Sequence, residues 1–379
     1  MSKSAGTRPM SASSSAPQKM MGLEIVRFLA AMAVLIWHYQ HFWHLGTEVP
    51  DFERSAQPLY VPLRWLYEYG VYGVQVFWCI SGYIFFWKYS RMIAEGRMAA
   101  RQFFILRLSR LYPLHLVTLL LVALLQAVYF PLANDYFVYA HNDLPHFLLQ
   151  LFMASNWGFE QGPSFNGPIW SISLEVIVYA LFFVVMRRLG ASIGITCVLI
   201  AVGAGAFLLK VPHQVFQCVL CFFIGGLAAQ VGRTGWVQAR RVMVGRGVLA
   251  LLLAAPSVAG VLGLFAHRPV IQLFIVAYTP VLLYFLAEQC TIPARFDRLL
   301  DVAGNVTYSS YLIHFPIQLM IAIGCRQAGL PIPKESPLFL AAFLGVTLVL
   351  SVLVYRYFEV PCQKLIRNRL GRRPALVRA

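Results

Sequence analysis

Apolar residues in this chain occur in long runs rather than in alternation or short stripes. Runs near 22–43, 70–90, 111–131, 167–186, 191–209, 213–231, 248–266, 270–289, 304–325 and 338–356 are each of a length suited to a helix crossing a bilayer. No segment shows the period-two pattern of a membrane barrel, and a lipid-exposed backbone must satisfy its own polar groups, so helices are expected. The pattern predicts an all-α polytopic membrane protein with ten transmembrane helices.

The basic residues predict how those helices are oriented. With the N-terminus inside, the inner segments hold roughly 24 of the 31 Lys and Arg, against about six in the outer segments. That fourfold bias is the positive-inside pattern. It predicts both termini in the cytoplasm, which requires an even number of spans. The net charge of +16 then reads as topology-setting loop charge facing anionic lipid, with no nucleic-acid partner. A mean hydropathy of +0.67 excludes a soluble domain. The cell inner (plasma) membrane is the expected location.

Residues 1–20, rich in Ser, Ala and Pro, read as a disordered cytoplasmic tail, and 361–379 as a basic one. The basic residues ahead of the first run suggest a signal peptide, yet no small-residue cleavage site follows Trp37, so the first helix should stay attached. Cys218 and Cys221 form a CxxC, but inside an apolar run and without a second pair or a set of histidine ligands, so no metal is expected there.

Polar residues inside the runs carry the candidate chemistry. Arg27 and His38 lie eleven residues apart in the first span. That is about 20° past three turns and about 16 Å of rise, which puts both on one face at opposite depths. An ionisable group in a span is costly unless it works, the bland alternative being snorkelling to the interface. The third run opens with RLSRLYPLH, where Arg107 and Arg110 share a face and Pro113 suits an early helical turn. A helix N-terminus beside two arginines suits a phosphate; plain positive-inside anchoring suits them equally. In FNGPIWSISLEVIVY, Asn166 can cap and Pro168 can occupy the first turn, leaving Glu175 roughly 10 Å below the outer surface. His38 reaches a similar depth from its own helix, and a carboxylate beside an imidazole suits general-base work, although spacing does not show whether the two helices touch. The second span keeps small residues, Ser81 among them, for close helix packing or a thin ligand. The ninth places Tyr311 and Ser310 on the face of His314, as a polar lining or as interhelical bonds.

These stretches resemble the membrane-bound acyltransferase-3 family over most of the chain. Arg27 and His38 are similar to its Arg-x10-His motif, and Arg107-Leu-Ser-Arg110 to its Arg-x-x-Arg motif. GVQVFWCISGYIFF resembles its second-helix pattern, Trp170-Ser-Ile-Ser173-Leu-Glu175 its Trp-Ser-x-Ser-x-Glu helix start, and Tyr308-Ser-Ser-Tyr311-Leu-Ile-His314 its late Tyr-rich stretch. The resemblance implies O-acetyl transfer from cytoplasmic acetyl-CoA, or another short acyl-CoA, to a hydroxyl of a surface or exported glycan or lipid-linked saccharide, as in exopolysaccharide biosynthesis. It implies His38 and Glu175 as catalytic and Arg27, Arg107 and Arg110 as acyl-CoA-binding. Ser81, Trp170, Ser173, Tyr311 and His314 would line or support the path. The expected domain is 21–360. A small-molecule acceptor in the cytoplasm and a glycan transporter or flippase are the competing readings; a transporter would be expected to show repeats or paired broken helices, which the sequence lacks.

Overall fold

The computed structural model describes residues 20–370 except 51, 212, 236, 238–247, 257, 260–262, 264–267 and 289–291. The first apolar run forms α1, Met21–His38, and tightens into a 3-10 turn at Tyr39–Trp43. The second path begins earlier than its hydropathy suggests: α2 (Tyr60–Tyr69), a 3-10 turn (Gly70–Tyr72) and α3 (Gly73–Lys88) follow one another without a break. A short α4 (Ser90–Ala94) leads to α5 (Ala100–Ala133), and α6 (Leu144–Leu151) lies in the next connection. A 3-10 turn at Gly167–Ile169 opens α7 (Trp170–Leu189), followed by α8 (Ile193–Leu208) and α9 (Val215–Val231). Residues 248–256 are also helical, and beyond them come α10 (Arg268–Glu288), α11 (Asp297–Gln327), α12 (Pro337–Val354) and, after a wide turn at Tyr355–Glu359, α13 (Val360–Leu370).

Among the described residues the fold is all helical, with seven helical stretches long and apolar enough to cross a membrane. The expected spans at 191–209 and 213–231 form the shorter apolar helices α8 and α9. The span expected at 248–266 lies partly outside the described residues, as do most of the two tails. Residues 361–370, the first part of the expected basic tail, belong to α13.

Two sequence expectations fail locally. α5 starts at Ala100, so Arg107 and Arg110 sit two to three turns inside a helix of 34 residues and have no free N-terminal amides beside them. Residues 100–110 mix charged and apolar helix formers, which a hydropathy count passes over but helix propensity favours. Pro113 is therefore internal, and its missing N–H leaves the Ser109 carbonyl without its usual donor. Asn166 precedes α7 but its side chain does not cap it; Asn166 Nδ2 donates instead to the Leu312 carbonyl of α11, 3.0 Å away.

α11 is the axle of the bundle. Its apolar window is 89% buried, against 28% for α5, and α1, α5 and α12 pack around it. α3 and α9 form the tightest pair through Gly82 and Gly225: a Cβ on Gly82 would land on the Phe222 carbonyl, and one on Gly225 on the Cys79 carbonyl. Small residues let backbones close in this way where lipid supplies no hydrophobic drive between helices. Helix packing thus accounts for these glycines of the second span, and Ser81 is left facing inward beside them.

Candidate active site

α1, α3, α5, α7 and α11 enclose a cavity of about 130 Å³. It is lined by Arg27, Arg107 and Arg110 together with Ser81, Ser171, Glu175 and Tyr311, and Glu175 lies in electrostatic reach of Arg110 and Arg27. Five residues singled out from sequence on four helices thus converge with Arg27 of α1. Glu175 is held by the phenol of Tyr179, one turn on, and more loosely by Ser81 Oγ at 3.5 Å. Tyr179 was not singled out, although an i, i+4 tyrosine beside a carboxylate is readable from spacing alone.

The three arginines differ in how their charge is met. Arg27 Nη1 is 2.9 Å from Glu24 Oε2, and Gly304 makes room for that carboxylate, since any Cβ there would strike it. Arg107 donates to the Tyr89 hydroxyl at 2.6 Å and lies over the Phe85 and Tyr89 rings, and its Nε is buried without a partner. Arg110 makes no hydrogen bond or ion pair with another described residue. Arg107 and Arg110 thus form no close ion pair among the described residues, although Arg110 lies in electrostatic reach of Glu175 and Glu359, whereas Arg27 has a paired carboxylate.

His38 lies outside the cavity wall, in a second polar cluster. Its Nδ1 is 2.8 Å from the Val34 carbonyl. A carbonyl only accepts, so Nδ1 carries the proton and the neutral ring keeps its lone pair on Nε2. His314 repeats the arrangement one helix away: Nδ1 is 3.2 Å from the Ser310 carbonyl, and its Nε2 is buried with no partner. The two ring centroids are 4.8 Å apart. Below them Gln318 makes a double clasp, donating to the His38 carbonyl at 2.9 Å and accepting from His41 Nδ1 at 3.0 Å.

The contact that equal depth suggests between Glu175 and His38 is therefore replaced by others. Val34 sets the His38 tautomer, while Glu175 answers to Tyr179 and Ser81. Tyr311 belongs to both clusters, lining the cavity with Glu175 and facing His314. Its hydroxyl donates to the Pro168 carbonyl at 2.7 Å and pairs with Ser171 Oγ at 2.8 Å, and its ring lies 6.1 Å from that of His314. Trp170 packs edge-on against Trp78 at 5.8 Å, and Ser173 is buried with its hydroxyl on the Trp170 carbonyl. Both support α7 rather than line the cavity.

On the loop between α5 and α7, His141, Asp143 and His146 bring ligand-type atoms within 4.8 Å. Both nitrogens of His146 are already engaged, Nδ1 with Asp143 at 2.6 Å and Nε2 with the Gln161 amide at 3.1 Å. Asp143 also accepts from the His146 amide as the N-cap of α6. The group reads as a capping device.

The signature of the acyltransferase-3 family, an acyltransferase domain, matches residues 21–356. The chain belongs to that family. It is also similar to the acyltransferase MdmB of Streptomyces mycarofaciens, at 24% identity over 91% of this chain and 92% of that protein. No solved structure matches it. The matched region contains both polar clusters and every residue singled out from sequence.

Proposed function

We propose that this acyltransferase is an integral membrane O-acyltransferase that moves an acetyl or other short acyl group from cytoplasmic acyl-CoA to a hydroxyl of an exported or surface glycan. The loop charges support ten spans with both ends in the cytoplasm, which would put Arg107 and Arg110 on the coenzyme side and His38 toward the outside. The observation that carries the reading is the cavity that gathers Arg107 and Arg110, neither in a close ion pair, with Glu175, Ser81 and Tyr311, whose ring lies 6.1 Å from that of His314 in the His38–His314 pair.

In this reading Arg107 and Arg110 hold the coenzyme diphosphate by charge-assisted bonds. The thin pantetheine arm follows the cavity, and the Ser171–Tyr311 bond opens to admit the thioester to the histidines. His38 Nε2 takes the acceptor's hydroxyl proton as its oxygen attacks the thioester carbonyl. The new C–O bond forms, the C–S bond breaks, and the proton leaves with the sulfur as free coenzyme A. His314 Nε2 accepts a second hydrogen bond from the acceptor. Purified protein should release free coenzyme A from acetyl-CoA only when a hydroxyl acceptor is supplied. Movement of the saccharide without acyl-CoA consumption would instead support a flippase.

A further inference from the structure

A second opening lies at the basic end of the bundle, outside the cavity and sharing Arg107 and Arg110 with it. This vestibule, about 340 Å³, is completed by Lys88 at the end of α3 and by Asn305, Gln363 and Arg367. Arg367 comes from α13 and reaches the middle of the Arg107–Arg110 segment, where its Nε donates to Ser109 Oγ at 3.0 Å. Its Nη2 donates to Gln363 Oε1 at 3.1 Å, which fixes the plane of the guanidinium.

Four cations therefore face one space. None of the four has a close ion-pair partner among the described residues; Glu359, which also lines the vestibule and accepts from Ser309, sets one carboxylate in reach of Arg110, so positive charge stays in excess. Like charges gathered this way repel unless an anion joins them. The shape narrows the choice of anion. The roomy charged chamber leads through two shared arginines into a narrow, largely apolar cavity, which fits a ligand with a polyanionic head and a thin uncharged arm.

Resting on the acyl-CoA reading above, we propose that Arg367 and Lys88 seat the 3′-phosphate of coenzyme A, while Arg107 and Arg110 meet its diphosphate. The charges match: the two diphosphate groups carry one negative charge each, and a phosphomonoester carries about −1.5 to −2. The planar fork of Arg367 is suited to two phosphate oxygens at once, and Lys88 adds a point charge. Arg367 is thereby a residue that distinguishes coenzyme A from its dephospho form.

Calorimetric titration of the full-length protein in nanodiscs with coenzyme A and with dephospho-coenzyme A tests this. Wild type should bind coenzyme A roughly tenfold or more tighter than the dephospho form. Arg367→Gln should bring that ratio close to one while holding dephospho-coenzyme A within about twofold of wild type, which also reports that the variant is folded. Arg367→Lys should recover part of the preference. A wild-type ratio kept in Arg367→Gln, or an equal loss for both ligands, would overturn the assignment and leave Arg367 as a membrane-face anchor. If folded wild type binds neither ligand, the acyl-CoA reading itself falls, and this inference with it.

Discussion

Replacing Gln318 with Leu isolates the clasp that holds His38 without touching either cavity. Gln318 is fully buried and lines neither the cavity nor the vestibule. Leu is close in volume, so the change deletes two hydrogen bonds, leaving the His41 Nδ1–H without a partner and the His38 carbonyl without its side-chain donor. A buried group left unsatisfied costs about 1–3 kcal/mol, and the added apolar burial returns about 1 kcal/mol. Within a bilayer the unfolded reference finds other partners and interhelical bonds count for less, so a net loss of about 1–3 kcal/mol is expected. The kinetic effect should be larger than the stability effect. His38 sits in the last turn of α1, and with its carbonyl released the ring can drift; a misplacement near 1 Å costs about 100-fold. The expected outcome is a kcat lowered about 10- to 100-fold, a lower thermal midpoint in detergent, and a coenzyme A Kd within about twofold of wild type. Acyl transfer by reconstituted protein, with calorimetry on the same samples, reads all three. A wild-type kcat, or a loss of coenzyme affinity as large as the loss of rate, would refute the separation of the histidine cluster from the coenzyme path.

Three further outcomes follow from the geometry. Tyr179→Phe removes the donor that holds Glu175, leaving only the long Ser81 contact, and should lower kcat about tenfold with coenzyme binding retained, whereas Ser81→Ala should cost about threefold or less, by steady-state kinetics. Gly82→Val would drive a side chain into the Phe222 carbonyl and separate α3 from α9, so size-exclusion chromatography should show little monodisperse protein. Asp143 is held below the ordinary carboxylate range by the His146 amide and then by the His146 ring. A depressed carboxylate contributes stability above its unfolded pKa and loses it as pH falls through the folded value. Amide-exchange protection at the start of α6 should therefore hold from pH 7 down to the usual carboxylate range, fall as the pH drops through that range toward the lower folded value, and level off beneath it; in Asp143→Ala it should be low throughout.

Much of the architecture is readable from apolar runs, because a helix in lipid must bury or satisfy every polar group and so advertises its ends. The shared face of Arg107 and Arg110, the Pro168 helix start and the inward position of Glu175 all follow from helical spacing. What spacing conceals is long-range pairing. Gln318 meets His38 across 280 residues and Arg367 meets Ser109 across 258, and only the packing of α11 and α13 brings them there. The depth argument for Glu175 and His38 misled for a related reason. Equal depth on two helices does not make two side chains touch: Glu175 bonds Tyr179 and Ser81, and His38 bonds the Val34 carbonyl. The start of α5 was hidden by its mixed composition: hydropathy marks where a helix enters lipid, and helix propensity marks where it begins.

The central claim is that His38 accepts the proton of an acceptor hydroxyl during transfer from acyl-CoA. It is tested most directly by NMR of surface glycan from a deletion strain carrying wild type or His38→Ala at equal membrane levels, with coenzyme A binding measured on both purified proteins. Acyl signals restored by wild type and absent with His38→Ala, at unchanged coenzyme affinity, are the predicted result. Equal acylation by the two proteins would contradict it.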